Sequence, residues 1–115
     1  MNSKRKGTAG EIELAKLLCS HGYNAHRNNQ RWISGHENPD VSLPGVHIEC
    51  KRTEALRLYA SLEQAVKDAN GKKLPAVFHR RNRESWIVIM KLDDWLKLYD
   101  IKGETDYGRN KIRLE

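Results

Sequence analysis

Two carboxylates and a lysine in this 115-residue chain have the types and spacing that metal-assisted phosphate chemistry uses. Asp40 follows Pro39, and Glu49-Cys50-Lys51 comes soon after, beyond the turn dipeptide Pro44-Gly45. Folded as a hairpin, the two segments bring Asp40 beside Glu49, and paired carboxylates suit a hard, oxygen-seeking cation such as Mg²⁺. Side chains alternate along a strand, so Glu49 and Lys51 share a face. A lysine there can hold a phosphate oxygen or an attacking water beside the ion. A solvated cross-strand ion pair would produce the same spacing.

Glu11 adds a third acid. On a helical wheel it falls in the middle of an apolar face made by Leu14, Ala15 and Leu18, where a carboxylate is costly unless a cation meets it. Thr8-Ala9-Gly10-Glu11 also matches a capping box, in which Glu11 would bond back to the helix start.

The elements that must position these residues follow from hydropathy. Apolar spacing predicts a helix over 9–21, stopped by Gly22 in a left-handed turn. A short strand over 23–28, a polar loop over 29–39 and strands over 40–43 and 46–51 come next. A second amphipathic helix over 58–69 gathers Leu58, Tyr59, Leu62, Ala65, Val66 and Ala69 on one face. Strands over 76–79 and 86–91 flank the turn Arg80-Arg81-Asn82-Arg83, and Leu92, Trp95, Leu96 and Tyr99 mark a third helix over 92–99. The tail 102–115 alternates charge and shows no element. The order α-β-β-β-α-β-β-α, with no repeat and no linker, predicts one α/β domain over 1–115.

Lys and Arg number 21 against 15 Asp and Glu, a net charge of +6 with a pI near 9.5. That excess suits an anionic partner, nucleic acid first. The longest purely apolar run, Trp86-Ile87-Val88-Ile89-Met90, falls far short of the roughly 18 residues a membrane span needs. No apolar leader follows the basic start, so a soluble, cytoplasmic protein without membrane association is expected. Cys19 and Cys50 are too few for a disulfide framework, and His21, His26, His36 and His47 lack zinc-finger spacing with them.

Taken together, these motifs resemble the PD-(D/E)xK nuclease superfamily, and within it the archaeal-type Holliday junction resolvases and related phage-encoded endonucleases. The resemblance lies in Lys6-Gly7-x-x-x-Glu11-x-Glu13-Leu14, His21-Gly22-Tyr23, Arg27, Pro39-Asp40-Val41 and His47-Ile48-Glu49-Cys50-Lys51. It covers the first half of the chain in motif detail and the second half in element order alone. It implies a restriction-endonuclease-like fold, a central mixed β-sheet flanked by helices, in a Mg²⁺-dependent endodeoxyribonuclease that also accepts Mn²⁺. Asp40 and Glu49 would ligate the metal with the backbone carbonyl of Cys50, and Glu11 would complete the cluster through water or a second ion. Lys51 would orient the attacking water and stabilise charge on the scissile phosphate. In-line hydrolysis would leave 5′-phosphate and 3′-hydroxyl ends.

The metal and Lys51 would then neutralise Glu11, and Arg27 would lie against the DNA backbone. Symmetric double cutting implies a homodimer, with Trp86, Trp95 and Tyr99 as interface candidates, and a phage-encoded chain would act in the host cytoplasm. Ile12 stands where the archaeal enzymes carry a DNA-contacting arginine, and the loop 28–38 is longer than theirs. Both departures bear on junction specificity rather than on the chemistry.

Lys4, Arg5 and Lys6, and the turn residues Arg80, Arg81 and Arg83, are candidate phosphate contacts. Trp32 is a candidate for stacking on an unpaired base, His47 for lining the cleft and Gln64 for a place near the metal. Three activities fit the pattern. One is a four-way-junction resolvase acting in DNA recombination and repair; another is a nickase or restriction-type nuclease on duplex or flapped DNA. The third is a non-catalytic nucleic-acid-binding module, with Glu11 a cap and Glu49 and Lys51 a surface pair.

Overall fold

Helix α1 spans Ser3–Ser20 in the computed structural model, which describes residues 3–28, 32–33, 36–37 and 39–103. It starts earlier than the apolar spacing predicts, because 3–8 contains no apolar side chain to set a period. Glu11 therefore lies well inside the helix, and the capping-box reading is overturned. The helix stop follows expectation. Gly22 takes φ +92°, its N–H donates to Cys19 O at 2.9 Å, and Tyr23 N–H donates to Leu18 O at 3.2 Å. These are the two closing bonds of a Schellman stop, which needs a left-handed residue at Gly22. Because the Tyr23 amide is spent there, strand β1 shrinks from the expected 23–28 to His26–Arg27.

The expected loop over 29–39 contains a small antiparallel pair, β2 (Trp32–Ile33) and β3 (His36–Glu37), in register Trp32↔Glu37. Two-residue strands are too short to display a period in the sequence. Strands β4 (Val41–Leu43) and β5 (Val46–Arg52) form the expected hairpin around Pro44-Gly45, with Val41 opposite Ile48. Helix α2 (Leu58–Ala69) then crosses over to β6 (Leu74–Arg80), which lies parallel to β5. Parallel neighbours need such a long connection. β7 (Ile87–Ile89) returns antiparallel to β6, and α3 (Leu92–Gly103) follows. Among the described residues this gives a five-stranded mixed sheet ordered β1-β4-β5-β6-β7, with three helices. That is the α/β class and element order the sequence predicts, with the short β2–β3 pair added.

Alternation along β5 divides the core. Ile48 and Cys50 face α1 and pack with Leu14, Ala15, Ala25 and Val41; on the other side Leu62 and Ala65 of α2 cover Val77. Each fully buried Leu, Ile or Val contributes about 1.5–3 kcal/mol. Trp86 packs against the core under α1, which removes it from the exposed interface candidates. Trp95 stays exposed and its ring stacks on Tyr99 at 5.0 Å; Ile87, Val88 and Leu92 are exposed as well. The described helices include none long and apolar enough to cross a membrane. The tail from 104 on lies outside the described residues.

The seat of α1 on β5 is close enough to need a glycine. A Cβ at Gly10 would come within 2.6 Å of the Arg52 Cβ, whereas one at Gly7 would meet nothing within 4 Å. Gly7→Ala should therefore gain up to about 1 kcal/mol from helix propensity. Gly10→Ala should lose about 1 kcal/mol net, because overpacking costs roughly 1–3 kcal/mol. Urea denaturation of the two variants reads the contrast; equal gains would mean that α1 and β5 are not in contact at Gly10.

Candidate active site

The pairing of β4 with β5 ends at Val41 and Ile48, so the β5 backbone beyond Ile48 loses its neighbour on that edge. Asp40 fills the gap: its N–H donates to Ile48 O at 2.9 Å, and its Oδ2 accepts the Cys50 N–H at 2.8 Å. In an extended strand the N–H and C=O of one residue face the same edge, so the Cys50 carbonyl faces the Asp40 side too. A cleft of about 370 Å³ opens there, lined by Glu11, Asp40, Glu49, Cys50 and Lys51 and closed on the α2 side by Gln64 and Asp68. The sheet end makes the convergence possible, since α1 reaches it from one face and α2 from the other.

The acids are deeply set. Glu11, Asp40 and Glu49 are 5%, 4% and 6% exposed, and Asp68 is buried beside them. Burial pushes the Glu49 carboxyl up to about 9, helped by the negative charge of Asp40 and by hydrogen bonds to Asp40 and Asp68, while Lys51 pulls it down. Glu49 thus sits between two other carboxyls, and its own carboxyl is the one held toward the protonated form. Burial also pushes the Cys50 thiol up, so its side chain behaves as a small hydrophobe and only its backbone addresses the cleft.

Glu11 is answered by a residue the sequence assigned elsewhere. Arg27 Nε donates to Glu11 Oε1 at 2.8 Å, so an arginine of β1 supplies a positive charge expected from the metal and Lys51. That pairing follows from the sheet order: β1 lies beside β4, which sets Arg27 opposite Val41, next to the acids. His47 is 3% exposed, with Nε2 3.9 Å from Glu49 Oε2, so it lies behind the acids rather than along the open wall. Gln64 does line the cleft, and its Nε2 donates to both Asp68 oxygens at 3.0 and 2.9 Å.

Asp68 was missed by the sequence reading. The signal was weak: on the α2 wheel Asp68 only borders the stripe of Leu62, Ala65 and Ala69, whereas Glu11 falls in the middle of its apolar face. Arg52 was missed as well, and with Arg80 it grips Glu13, at 3.9 and 3.2 Å. Arg80 also donates to Glu84 O, and Asn82 N–H donates to Glu54 Oε2 at 2.7 Å, which ties down the turn after β6. Arg81 and Arg83 are exposed on that turn, with Arg83 at φ +65°. Lys4, Arg5 and Lys6 lie along α1 and Trp32 in β2; their side chains fall outside the described residues.

A family model described as "Phage putative PDDEXK endonuclease" matches residues 2–115. The chain belongs to that family. This PDDEXK endonuclease is also similar to a solved structure of Hjc, a Holliday junction resolvase from the archaeal hyperthermophile Archaeoglobus fulgidus. The similarity has 26% identity and a TM-score of 0.58, covering 73% of this chain and 76% of that one. No curated protein matches the chain. The resolvase likeness agrees with the restriction-endonuclease-like sheet, and the family match agrees with a nuclease whose acids sit at the open end of β4 and β5.

The proton on Glu49 has a thermodynamic consequence. Its carboxyl titrates near 4.5 in an unfolded chain and near 9 in the fold. Between those values the native PDDEXK endonuclease holds a proton the unfolded chain has released, so stability falls as pH rises. With a chelator present, the thermal midpoint should fall from about pH 5 to about pH 9, and Glu49→Gln should flatten that fall. An undiminished slope in the variant would assign the dependence to another group.

Proposed function

We propose that the chain is a divalent-metal-dependent DNA endonuclease that cuts four-way junctions. The observation that carries the reading is the convergence of Glu11, Asp40, Glu49 and Lys51 on one cleft at the end of the sheet. A DNA-binding module without chemistry gains nothing from carboxylates facing an anionic ligand, and burying them is costly. The donor set fits a hard ion: Asp40 and Glu49 offer carboxylate oxygens, Cys50 a backbone carbonyl, and Glu11 a further oxygen behind Arg27. Mg²⁺ is the expected ion, with Mn²⁺ able to substitute. Bound there, the ion supplies polarisation of the scissile phosphate and of the attacking water.

The side chains divide the remaining work. Lys51 directs a positive charge into the cleft, where it holds the water and offsets charge that develops on the phosphate oxygens. Asp40, fixed by the Cys50 amide, lines the same cleft. Arg27 holds Glu11 in place and extends toward the backbone of a bound strand. Exposed Arg81 and Arg83, with Lys4, Arg5 and Lys6, supply phosphate contacts along the flanks. Two symmetric incisions need two active sites, so the active species is a homodimer, and the exposed apolar set of Ile87, Val88, Leu92 and Trp95 is its candidate interface.

The Hjc likeness supports a junction as substrate, while the family description names an endonuclease without a junction. A nickase or duplex nuclease with the same site is therefore the second reading. Purified protein should cut a four-way junction symmetrically with Mg²⁺ and not with EDTA. Cutting confined to duplex or flapped DNA would replace the first reading with the second. Lys51→Met should slow cleavage by about 10²–10³-fold, and Asp40→Asn by at least about as much. DNA binding with equal inertness of wild type and Asp40→Asn on every substrate would leave only a binding module.

A further inference from the structure

Beside the Asp40 side of the cleft lies a second donor set that shares only Glu49 with it. Alternation along β5 puts His47 on the same face as Glu49, and α2 packs over that face with Asp68 opposite. His47, Glu49 and Asp68 are 3%, 6% and 8% exposed, and one ligand atom from each lies within 4.8 Å of the others. His47 Nε2 and Glu49 Oε2 are 3.9 Å apart, too long for a hydrogen bond. Two donors on one ion at about 2.1 Å sit roughly 3.0–4.2 Å from each other as their angle opens from a right angle to a line. Three donors around one ion cannot all lie opposite one another, so the set must draw in by about an ångström to share an ion.

We propose that His47, Glu49 and Asp68 hold a second divalent cation, of the first-row transition type, with Glu49 shared between it and the Asp40 side. The imidazole decides the class of ion. Mg²⁺ prefers an all-oxygen shell and parts with its waters reluctantly, whereas a nitrogen donor suits a transition ion. Gln64 acts as the supporting partner: its amide donates to both Asp68 oxygens, which fixes the carboxylate plane and leaves each oxygen a lone pair for the ion. Glu49 can serve both sides because it lies between Asp40 and Asp68, and all three line the same cleft. The ion would reach the site through the cleft, which Glu49, Gln64 and Asp68 line. The proposal deepens the nuclease reading and rests on it for the neighbouring Asp40 ion, but its test requires no DNA.

Mn²⁺ is the probe, read by electron paramagnetic resonance on the full chain. Wild type should bind two Mn²⁺ per chain, and one should show ¹⁴N coupling from a single imidazole. His47→Gln should bind one ion without nitrogen coupling; Asp40→Asn should bind one ion that keeps it. Asp68→Asn leaves the imidazole in place and should weaken the coupled ion at least tenfold, which covers the case in which His47→Gln fails to fold. Absence of nitrogen coupling in wild type, or an unchanged coupling and ion count in His47→Gln, would overturn the proposal. DNA cleavage reports on the nuclease reading separately: an inert protein with a nitrogen-coupled ion defeats that reading and leaves this site standing.

Discussion

One strand gives out before its neighbour does, and the site depends on that mismatch. β4 stops at Val41 while β5 runs on to Arg52, so the Cys50 amide must find a partner that is not a strand. An unpaired buried amide costs about 1–3 kcal/mol, and the Asp40 carboxylate removes that cost by accepting the bond. The same contact pins Asp40 at the sheet end, where it lines the space the missing strand leaves. A longer β4 would fill the cleft with ladder hydrogen bonds, and a shorter β5 would remove Glu49 and Lys51.

The gap becomes a chemical site because it is reached from both faces of the sheet. α1 seats its apolar stripe on Ile48 and Cys50 and carries Glu11 to the edge; α2 seats Leu62 and Ala65 over Val77 and carries Gln64 and Asp68 there. Glu11, Glu49 and Asp68 therefore ride on elements anchored by apolar packing and Asp40 directly precedes one, which holds like charges closer than they would settle on a mobile loop. Their repulsion is relieved in three ways within the chain: Arg27 on Glu11, the Cys50 amide on Asp40, and a proton on Glu49. The third is the one a divalent cation bound at Glu49 would replace, because a ligating carboxylate must give up its proton. On the far side of the turn after β6, Arg52 and Arg80 are spent on Glu13 and on holding that turn, which leaves Arg81 and Arg83 as its exposed cations.

The hairpin that carries Asp40, Glu49 and Lys51 was legible because its signals are local: a turn dipeptide, alternation and a proline before the acid. Glu11 was legible as an anomaly on an apolar face, but its partner was not. Arg27 lies sixteen positions away, in a strand too short to carry a period, and its role depends on β1 pairing with β4. Asp68 was hidden because a polar residue at the border of an amphipathic stripe looks like the start of the solvent face. The early start of α1 and the β2–β3 pair were illegible for a shared reason, since neither stretch contains enough apolar residues to set a repeat.

By itself the sequence determined which side chains share a face, because the periods of helix and strand are properties of the backbone. It thereby set Glu49 with His47 and Lys51, Ile48 with Cys50, and Glu11 among leucines. Tertiary structure alone decided which helix covers each face, where β4 leaves β5, and that Arg27 meets Glu11. Those outcomes depend on packing between segments far apart in the chain. No local repeat encodes a contact across a sheet, so the acids were readable as a set, and their neutralisation only as a structure.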